Sequence, residues 1–505
     1  MSITADAVVT KDVQATGIDP KRWWALGVIL VAQLLIVLDA TVVTIALPTA
    51  QKALHISEAN RQWALTAYTL AFGGLLLLGG RIADYTGRKR AFIIGLIGFA
   101  AASALGGASV NQEMLFGARA LQGAMAALMA PAALSLLTVA FQKPKERAMA
   151  FGMYGAIAGG GSAVGLLLGG VLTEYASWRW TLLISTPIAI AAALAAVAWV
   201  KESKAHGNTR YDILGAITST LGLVALVYGT TKAAPDPSGG GAKWGSPTAV
   251  TMFVIAGVLL LSFVLIEIRS KHPLLPMRVL RDRNRGSSFL IALIVGVALF
   301  GTFLFLSYYM QQTLHYSALK SGVAFLPFTV GIVVGAILST QILPRIGARI
   351  PMTVGLVLAA AGMVLLTRLG PTTGYWSHVF PAELVISLGM GTVFGPLTST
   401  ALVGVADHDA GVASALVNAV QQIGGSVGTA LLNTIFVSAA TTYFVNHQIN
   451  PQTDLVGGMA GTVHGYTVAF WVSAALMAVA AIIAATFIRV HADQLASHEG
   501  VPVAI

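Results

Sequence analysis

The sequence predicts an all-α membrane protein with fourteen transmembrane helices. Two compositional facts and one pattern predict it. The chain is 56% hydrophobic and only 10% charged, whereas soluble domains carry about 25% charged residues. A soluble fold this apolar would expose patches that aggregate. Apolar runs of about 20 residues recur along the whole length, the length needed to cross about 30 Å of hydrocarbon.

Fourteen such runs follow in order. In the first part they are Trp24–Leu47, Trp63–Gly80, Ala91–Val110, Met114–Val139, Ala148–Leu172 and Thr181–Val200. Ile213–Thr231 and Thr248–Glu267 come next. The last six are Ser288–Met310, Gly322–Gln341, Met352–Leu369, Phe380–Val405, Val412–Ala439 and Tyr466–Ile488. The first run is too long for a signal-peptide core and has no clear cleavage site, so it reads as a retained helix. The loops that separate the runs are short. The one glycine-rich hairpin, Pro235 to Pro247, joins the seventh and eighth runs and reads as a flexible external turn. His272 to Gly286, rich in Arg and Pro, links the eighth run to the ninth.

The net charge is +10. Basicity can signal nucleic-acid binding, but here the cations sit in short loops between spans. With the N-terminus in the cytoplasm, 22 Lys and Arg fall inside, 7 outside, and Arg119 lies within a span. That asymmetry sets orientation: both termini are expected in the cytoplasm. There is no cysteine, so redox chemistry gives no compartment. No phosphate-binding loop occurs, which argues against ATP hydrolysis. The histidines lack ligand spacing. No catalytic residue, metal site or cofactor is expected.

Three features stand out within the apolar runs. Asp39 lies inside the first span, and an acid there costs several kcal/mol unless paired, hydrated or protonated. It is a candidate to bind and release protons, or else a salt-bridged acid that fixes packing. Arg119 lies inside the fourth span. At about 1.5 Å rise per residue, Asp39 is about 12 Å and Arg119 about 8 Å from the outer ends of their spans. The two are expected to approach, directly or through Gln122; the alternative for Arg119 is a purely structural cation. In the fifth span, Gly161, Gly165 and Gly169 recur at spacing four, with Gly170 after, which lets a helix approach closely. Packing alone and a hinge are equally open readings.

Between the second and third spans runs G-G-R-I-A-D-Y-T-G-R-K-R, Gly79 to Arg90. A topology signal explains its cations but not Asp84 among them. L-P-R-I-G-A-R after the tenth span echoes it, with Gly347 and Arg349 placed like Gly87 and Lys89 and Pro344 in the position of Asp84. Two six-helix halves related as parallel repeats, with a site between them, form a transporter architecture. The expected organisation is a tail 1–23, a first bundle 24–200, two additional helices 201–268, a linker 269–286, a second bundle 287–488 and a tail 489–505.

In the second bundle Asn418, Gln421 and Gln422 share a helix face and could line a cavity or bond to other helices. Phe300, Phe303, Phe305, Tyr308 and Tyr309 could line a hydrophobic pocket or face lipid. Phe303, Tyr308 and Gln122 join the three polar residues as substrate-cavity candidates. Glu383, close to Trp376 and His378 at the interface, is a candidate second proton site.

These motifs resemble the major facilitator superfamily. The Gly79–Arg90 segment is similar to the family's G-x-L-A-D-R-x-G-R-[RK] loop, filled by Gly80, Ile82, Ala83, Asp84, Gly87, Arg88 and Lys89, with Tyr85 in the usual Arg position. The first span resembles L-D-x-T-V-V-N-V-A-L-P of the fourteen-helix drug:proton antiporters, with Thr44 for Asn. The fourth span is similar to R-x-x-Q-G-x-x-x-A through Arg119, Gln122, Gly123 and Ala127. The fifth resembles the antiporter motif G-x-x-x-G-P-x-x-G-G, with Leu166 in place of a Pro that would kink the helix. Trp178 and Trp180 also fit the family and an interfacial aromatic belt.

The resemblance implies a 6+2+6 major facilitator fold in a bacterial cytoplasmic membrane, without enzymatic activity. It implies proton-coupled efflux of hydrophobic, amphipathic or cationic compounds by alternating access, with Gly80, Asp84, Gly87, Arg88 and Lys89 as a latch between the halves in the outward-facing state. The expected partners are protons, small hydrophobic or cationic substrates, lipids and the bilayer, and no nucleic acid. Rival readings are a lipid transporter of the same fold and a non-transporting receptor. A receptor would usually carry a cytoplasmic output domain, and none is visible.

Overall fold

The computed structural model describes residues 21–141, 143–204, 212–235, 242–270, 273–275, 277–405, 407–451 and 453–490. Most of the N-terminal tail, residues 491–505, the centre of the hairpin after Pro235, and Lys271 and His272 lie outside the described residues.

Among the described residues, fourteen helices are long and apolar enough to cross a membrane. They are α1 Arg22–Ala53, α2 Trp63–Thr86, α3 Arg88–Gly107, α4 Gln112–Ala140, α5 Pro144–Tyr175, α6 Trp180–Trp199, α7 Ile213–Lys232 and α8 Pro247–Arg269. Then come α9 Arg283–Thr313, α10 Ala318–Ile346, α11 Arg349–Leu366, α12 Tyr375–Leu402, α13 Asp407–Asn446 and α14 Leu455–Phe487. Several outrun the apolar stretches of the sequence. α13 continues past Ala439 and α14 begins before Tyr466, because the flanking segments, though more polar, contain no proline and stay helical. Two helices are interrupted. α10 breaks at Phe325, just ahead of Pro327, and α6 breaks at Ile184. α9 ends and α12 begins in a single π-helical turn.

Side-chain polarity fixes what faces lipid. Along α8, Val250, Val254, Val258, Leu261 and Leu265 are all exposed, a stripe at helical spacing that only hydrocarbon accommodates. α8 packs on α7, and α7 in turn lies against α2 and α13. α1 to α6 pack among themselves, as do α9 to α14. The seam between these two groups is formed by α2 on α13, α5 on α10 and α1 on α9.

The turn glycines of the two halves both take positive φ. Gly87 has φ +118° and Gly347 has φ +74°, a region that L side chains rarely adopt. The residue after each glycine then donates its backbone N–H to the chain just beyond the last helix of its half. Arg88 N bonds Ser203 O at 2.9 Å, and Ala348 N bonds Val490 O at 3.4 Å.

The hydrogen bonds that join the halves gather at one end, where α1 finishes and α2 begins; we call it the distal side. Ser307 donates to Thr44 O at 3.1 Å, Gln311 to Ile45 O at 3.0 Å, and Tyr308 to Gln51 Oε1 at 2.5 Å. Thr69 and Ser426 share a 2.7 Å hydrogen bond. Glu174 accepts from Leu319 N at 3.0 Å. Beside it a Cβ on Gly322 would stand 2.4 Å from Leu166 O, so α5 and α10 touch backbone to backbone there.

The centre of this closure is Arg61, on the loop between α1 and α2 and wholly buried. Nε donates to Asn433 Oδ1 at 3.1 Å, and the guanidinium pairs with Glu58. It lies 4.1 Å from the Tyr308 ring centre and 4.7 Å from that of Phe436. Asn433 donates to Glu58 O and to Gln62 Oε1, Gln62 donates to Thr231 Oγ1 at 3.0 Å, and Thr434 donates to Thr230 O at 2.9 Å. One polar network therefore ties the first half, the second half and α7 together. A desolvated cation on an aromatic face is worth about 2 kcal/mol, and the charged hydrogen bonds add to it. Since the chain has no cysteine, a Lys52→Cys/Asn446→Cys spin-label pair reads this end without background. Arg61→Ala is expected to add a longer-distance population to the electron–electron distance distribution; an unchanged distribution would show that Arg61 does not hold the ends together.

Candidate functional site

The densest buried polar cluster of the first half lies among α1, α2, α3 and α4. Asp39, Ser103, Arg119 and Gln122 are each 0% exposed. They come together because α1 and α3 each offer one of these polar residues and α4 offers two, while α2 supplies the Ala64 carbonyl and the Tyr68 ring. Arg119 Nη1 donates to Asp39 Oδ2 at 2.5 Å and to Gln122 Oε1 at 2.9 Å. Gln122 Nε2 donates to Asp39 Oδ1 at 3.0 Å and to Ser103 Oγ at 2.8 Å. Both carboxylate oxygens are therefore occupied, one by a cation and one by an amide.

Arg119 is held independently of Asp39. Its Nε donates to Ala64 O at 2.9 Å, and its guanidinium lies 4.5 Å from the centre of the Tyr68 ring. Both of these partners belong to α2, the helix that forms the seam with α13. Arg119 Nη2 and Tyr68 Oη have no hydrogen-bond partner, so the cluster keeps one unused donor on the arginine and a hydroxyl beside it. A group that could move the acid away from the arginine would leave the arginine in place on α2.

The α5 glycines meet α1 and α10. A Cβ at Gly161 would meet Val37 and Leu34, at Gly165 it would meet Thr41 Oγ1, and at Gly169 it would meet Val42. Gly170 faces Leu319 of α10 instead. With Leu166 buried in the position of the motif proline, α5 runs without a break from Pro144 to Tyr175. The glycine face thus joins Asp39's helix to the distal closure.

The basic turn is arranged within the first half. Among the described residues, the hydrogen bond Asp84 makes stays within the first half: its carboxylate accepts from Arg88 Nε at 2.8 Å, four residues on across the break at Gly87. The acid that caps a helix here is Glu202, beyond α6, whose oxygens accept from Lys89 N at 3.0 Å and Arg90 N at 3.3 Å at the start of α3, where negative charge is favoured. Lys89 Nζ donates to Val197 O at 2.7 Å. Gly80 lies against Pro131 of α4. Arg81 reaches Pro273 O in the linker at 3.5 Å.

The cavity candidates fall in three places. Gln122 is enclosed in the Asp39 cluster, and Tyr308 lies beneath Arg61 in the distal closure. Phe303 packs on Phe328 and Phe325, at ring separations of 4.7 Å and 5.5 Å, next to Glu383. Asn418 is exposed and Gln421 and Gln422 are half-buried; Gln422 Oε1 has no hydrogen-bond partner. Phe305 stacks on Phe436, lies tilted against Tyr466 and meets Phe470 edge-on inside the second half. Sequence reasoning missed Arg61, Glu58 and Asn433. Arg61 reads there as an ordinary loop charge; the one sign against that is its place directly ahead of an amphipathic Gln-Trp helix start.

A sequence profile described as the Major Facilitator Superfamily matches residues 29–429. The chain belongs to that superfamily. Its members are membrane transporters rather than enzymes, and this one has fourteen candidate spans. It is 48% identical over 481 residues to the puromycin resistance protein pur8 of Streptomyces alboniger, covering 95% of this chain and 93% of that one. It is 37% identical to the cephamycin export protein CmcT of Amycolatopsis lactamdurans, covering 81% of this chain and 84% of that one. Among solved structures, a bacterial homolog of the human lysosomal transporter Spinster, inward-facing and unoccupied, aligns with a TM-score of 0.67 at 16% identity, covering 95% of this chain and 99% of that one; that likeness establishes the major facilitator fold.

Removing Arg119 while keeping Asp39 strands a buried acid, a loss of about 3–5 kcal/mol. Arg119→Met is expected to lower the thermal unfolding temperature in detergent clearly, and adding Asp39→Asn to recover part of it. A double variant whose loss equals the sum of the two single losses would mean the pair is energetically uncoupled.

Proposed function

We propose that this chain is a proton-coupled exporter of small hydrophobic or cationic compounds in a bacterial cytoplasmic membrane, with both termini in the cytoplasm. The observation that carries the reading is the buried Asp39–Arg119–Gln122 cluster, a carboxylate neutralised only by one arginine and set where α1, α2 and α4 meet. The names of the relatives, which include resistance and export proteins for puromycin and cephamycin, support small-molecule antibiotics as the substrate class. With the termini cytoplasmic, the distal side faces outward, and the described arrangement is the inward-facing one.

The cycle follows from charge accounting. In this arrangement the carboxylate is stabilised by Arg119 and Gln122. When α1 and α4 separate, Asp39 loses its cation and gains a proton from the exposed side, while Arg119 stays on Ala64 O and the Tyr68 face. Return to this arrangement restores the ion pair and expels the proton. A proton biases the two arrangements because they bind it with different affinity. Export then runs by proton entry along its gradient. Asp84, Arg88 and Lys89 act as the inner latch of the outward-facing state; in the inward-facing arrangement they turn to their own half.

Inverted vesicles with an imposed proton gradient provide the test. Parent protein is expected to accumulate a fluorescent cationic dye, and Asp39→Asn to fall to the level of uncoupler-treated parent. Arg119→Lys is expected to fail similarly, because a lysine cannot hold two oxygens and an aromatic face together. Undiminished gradient-driven uptake by Asp39→Asn would remove Asp39 from the coupling mechanism.

A further inference from the structure

Glu383, in the first turns of α12, is the second wholly buried acid that the first account leaves without a task. Its surroundings differ from those of Asp39. Among the described residues, no Lys, Arg or His lines the gap around it. α9 presents Leu299, Thr302 and Phe303, α10 presents Phe325 and Phe328, and α12 itself presents Ile386. The facing titratable group is Tyr375, whose hydroxyl lies 3.4 Å from Glu383 Oε2. Glu383 Oε1 has no hydrogen-bond partner.

Counting hydrogens decides what this carboxyl is. A tyrosine hydroxyl carries one hydrogen. Tyr375 commits it to Ala324 O, at 2.7 Å. Thr302, the remaining hydroxyl on the gap, commits its own to Ala298 O at 2.8 Å. Nothing is left to donate to a carboxylate here, and an unpaired carboxylate among phenylalanines would cost several kcal/mol. A neutral carboxylic acid fits without that cost, because its own O–H can point to the Tyr375 oxygen. The gap beside it measures about 10 Å3, room for about one water and too little for an organic cation. The neutralising partner is therefore a proton.

We propose that Glu383 is a second proton-binding site, carried by the second half, and that it is loaded in the distal-closed arrangement. The two acids are held by opposite devices. Asp39 gives up its proton because Arg119 replaces it, while Glu383 keeps its proton because nothing replaces it. Release breaks the Glu383 O–H bond, the proton leaves on a water admitted to the gap, and the carboxylate waits for a proton to return. The protonation state stands without the Asp39 mechanism; only its use in transport rests on the proton-driven reading.

Infrared spectroscopy of the purified full chain tests it, through the C=O stretch of buried protonated carboxyls at neutral pH. Glu383→Gln is expected to remove one such band, and Asp39→Asn to leave that band intact. Tyr375→Phe, which keeps the carboxyl and deletes its acceptor, is expected to shift the band, and this arm holds if Glu383→Gln folds poorly. A spectrum with no protonated-carboxyl band, or one whose band survives Glu383→Gln in folded protein, overturns the proposal. Failure of the Asp39→Asn vesicle experiment would leave these infrared results untouched, so the two ideas fall separately.

Discussion

The rest of the site is organised around one contact, the hydrogen-bonded ion pair of Asp39 and Arg119 inside a helix bundle. Neither group reaches water, and each is tolerable there because of the other. The pair is also lopsided. Asp39 depends on Arg119 and Gln122, whereas Arg119 has further holds on Ala64 and Tyr68. That asymmetry makes the acid the movable partner and the arginine the fixed one, which is what a proton-exchanging site requires in the proposed cycle.

The pair is joined mechanically to the seam between the halves. Asp39 shares α1 with Thr44, Ile45 and Gln51, which bond α9 at the distal end, and α1 packs on the glycine face of α5, which touches α10. Arg119's partners lie on α2, which packs against α13 through Thr69 and Ser426. Arg61 then closes the end of the seam and draws α7 into it through Gln62 and Thr231. The first additional helix, α7, is thus bonded to both halves at the closure, and α8 packs on it. Arg61 and Arg119 solve the same physical problem in the same way: each is buried, hydrogen-bonded, and laid on an aromatic face.

Much of this was legible in the sequence because membrane crossing imposes simple rules. Apolar length gave the spans, and an acid and a base in apolar helices marked the site at once. The glycines of α5 announced close approach through their spacing, and Gly347 was placed as the counterpart of Gly87, but the positive φ that both adopt was not read. What could not be read was partnership between distant segments. Arg61 counts as a loop charge until α9 and α13 fold over it. Asp84 suggests a bond to the opposite half, but in this arrangement Arg88, just across the turn at Gly87, takes it. Glu202 looks like linker, although it caps α3. The state of Glu383 depends on where Tyr375 sends a single hydrogen, and no local pattern encodes that.

The most direct test of the central claim is proton release measured on the purified protein. A cationic substrate is added to the chain in weakly buffered detergent solution, and a pH-indicating dye is followed in stopped flow. The account predicts that substrate binding releases protons and that Asp39→Asn, binding the same substrate, loses the part of that release which comes from Asp39. Substrate binding with the same proton release in parent and Asp39→Asn, or with none in either, would contradict it.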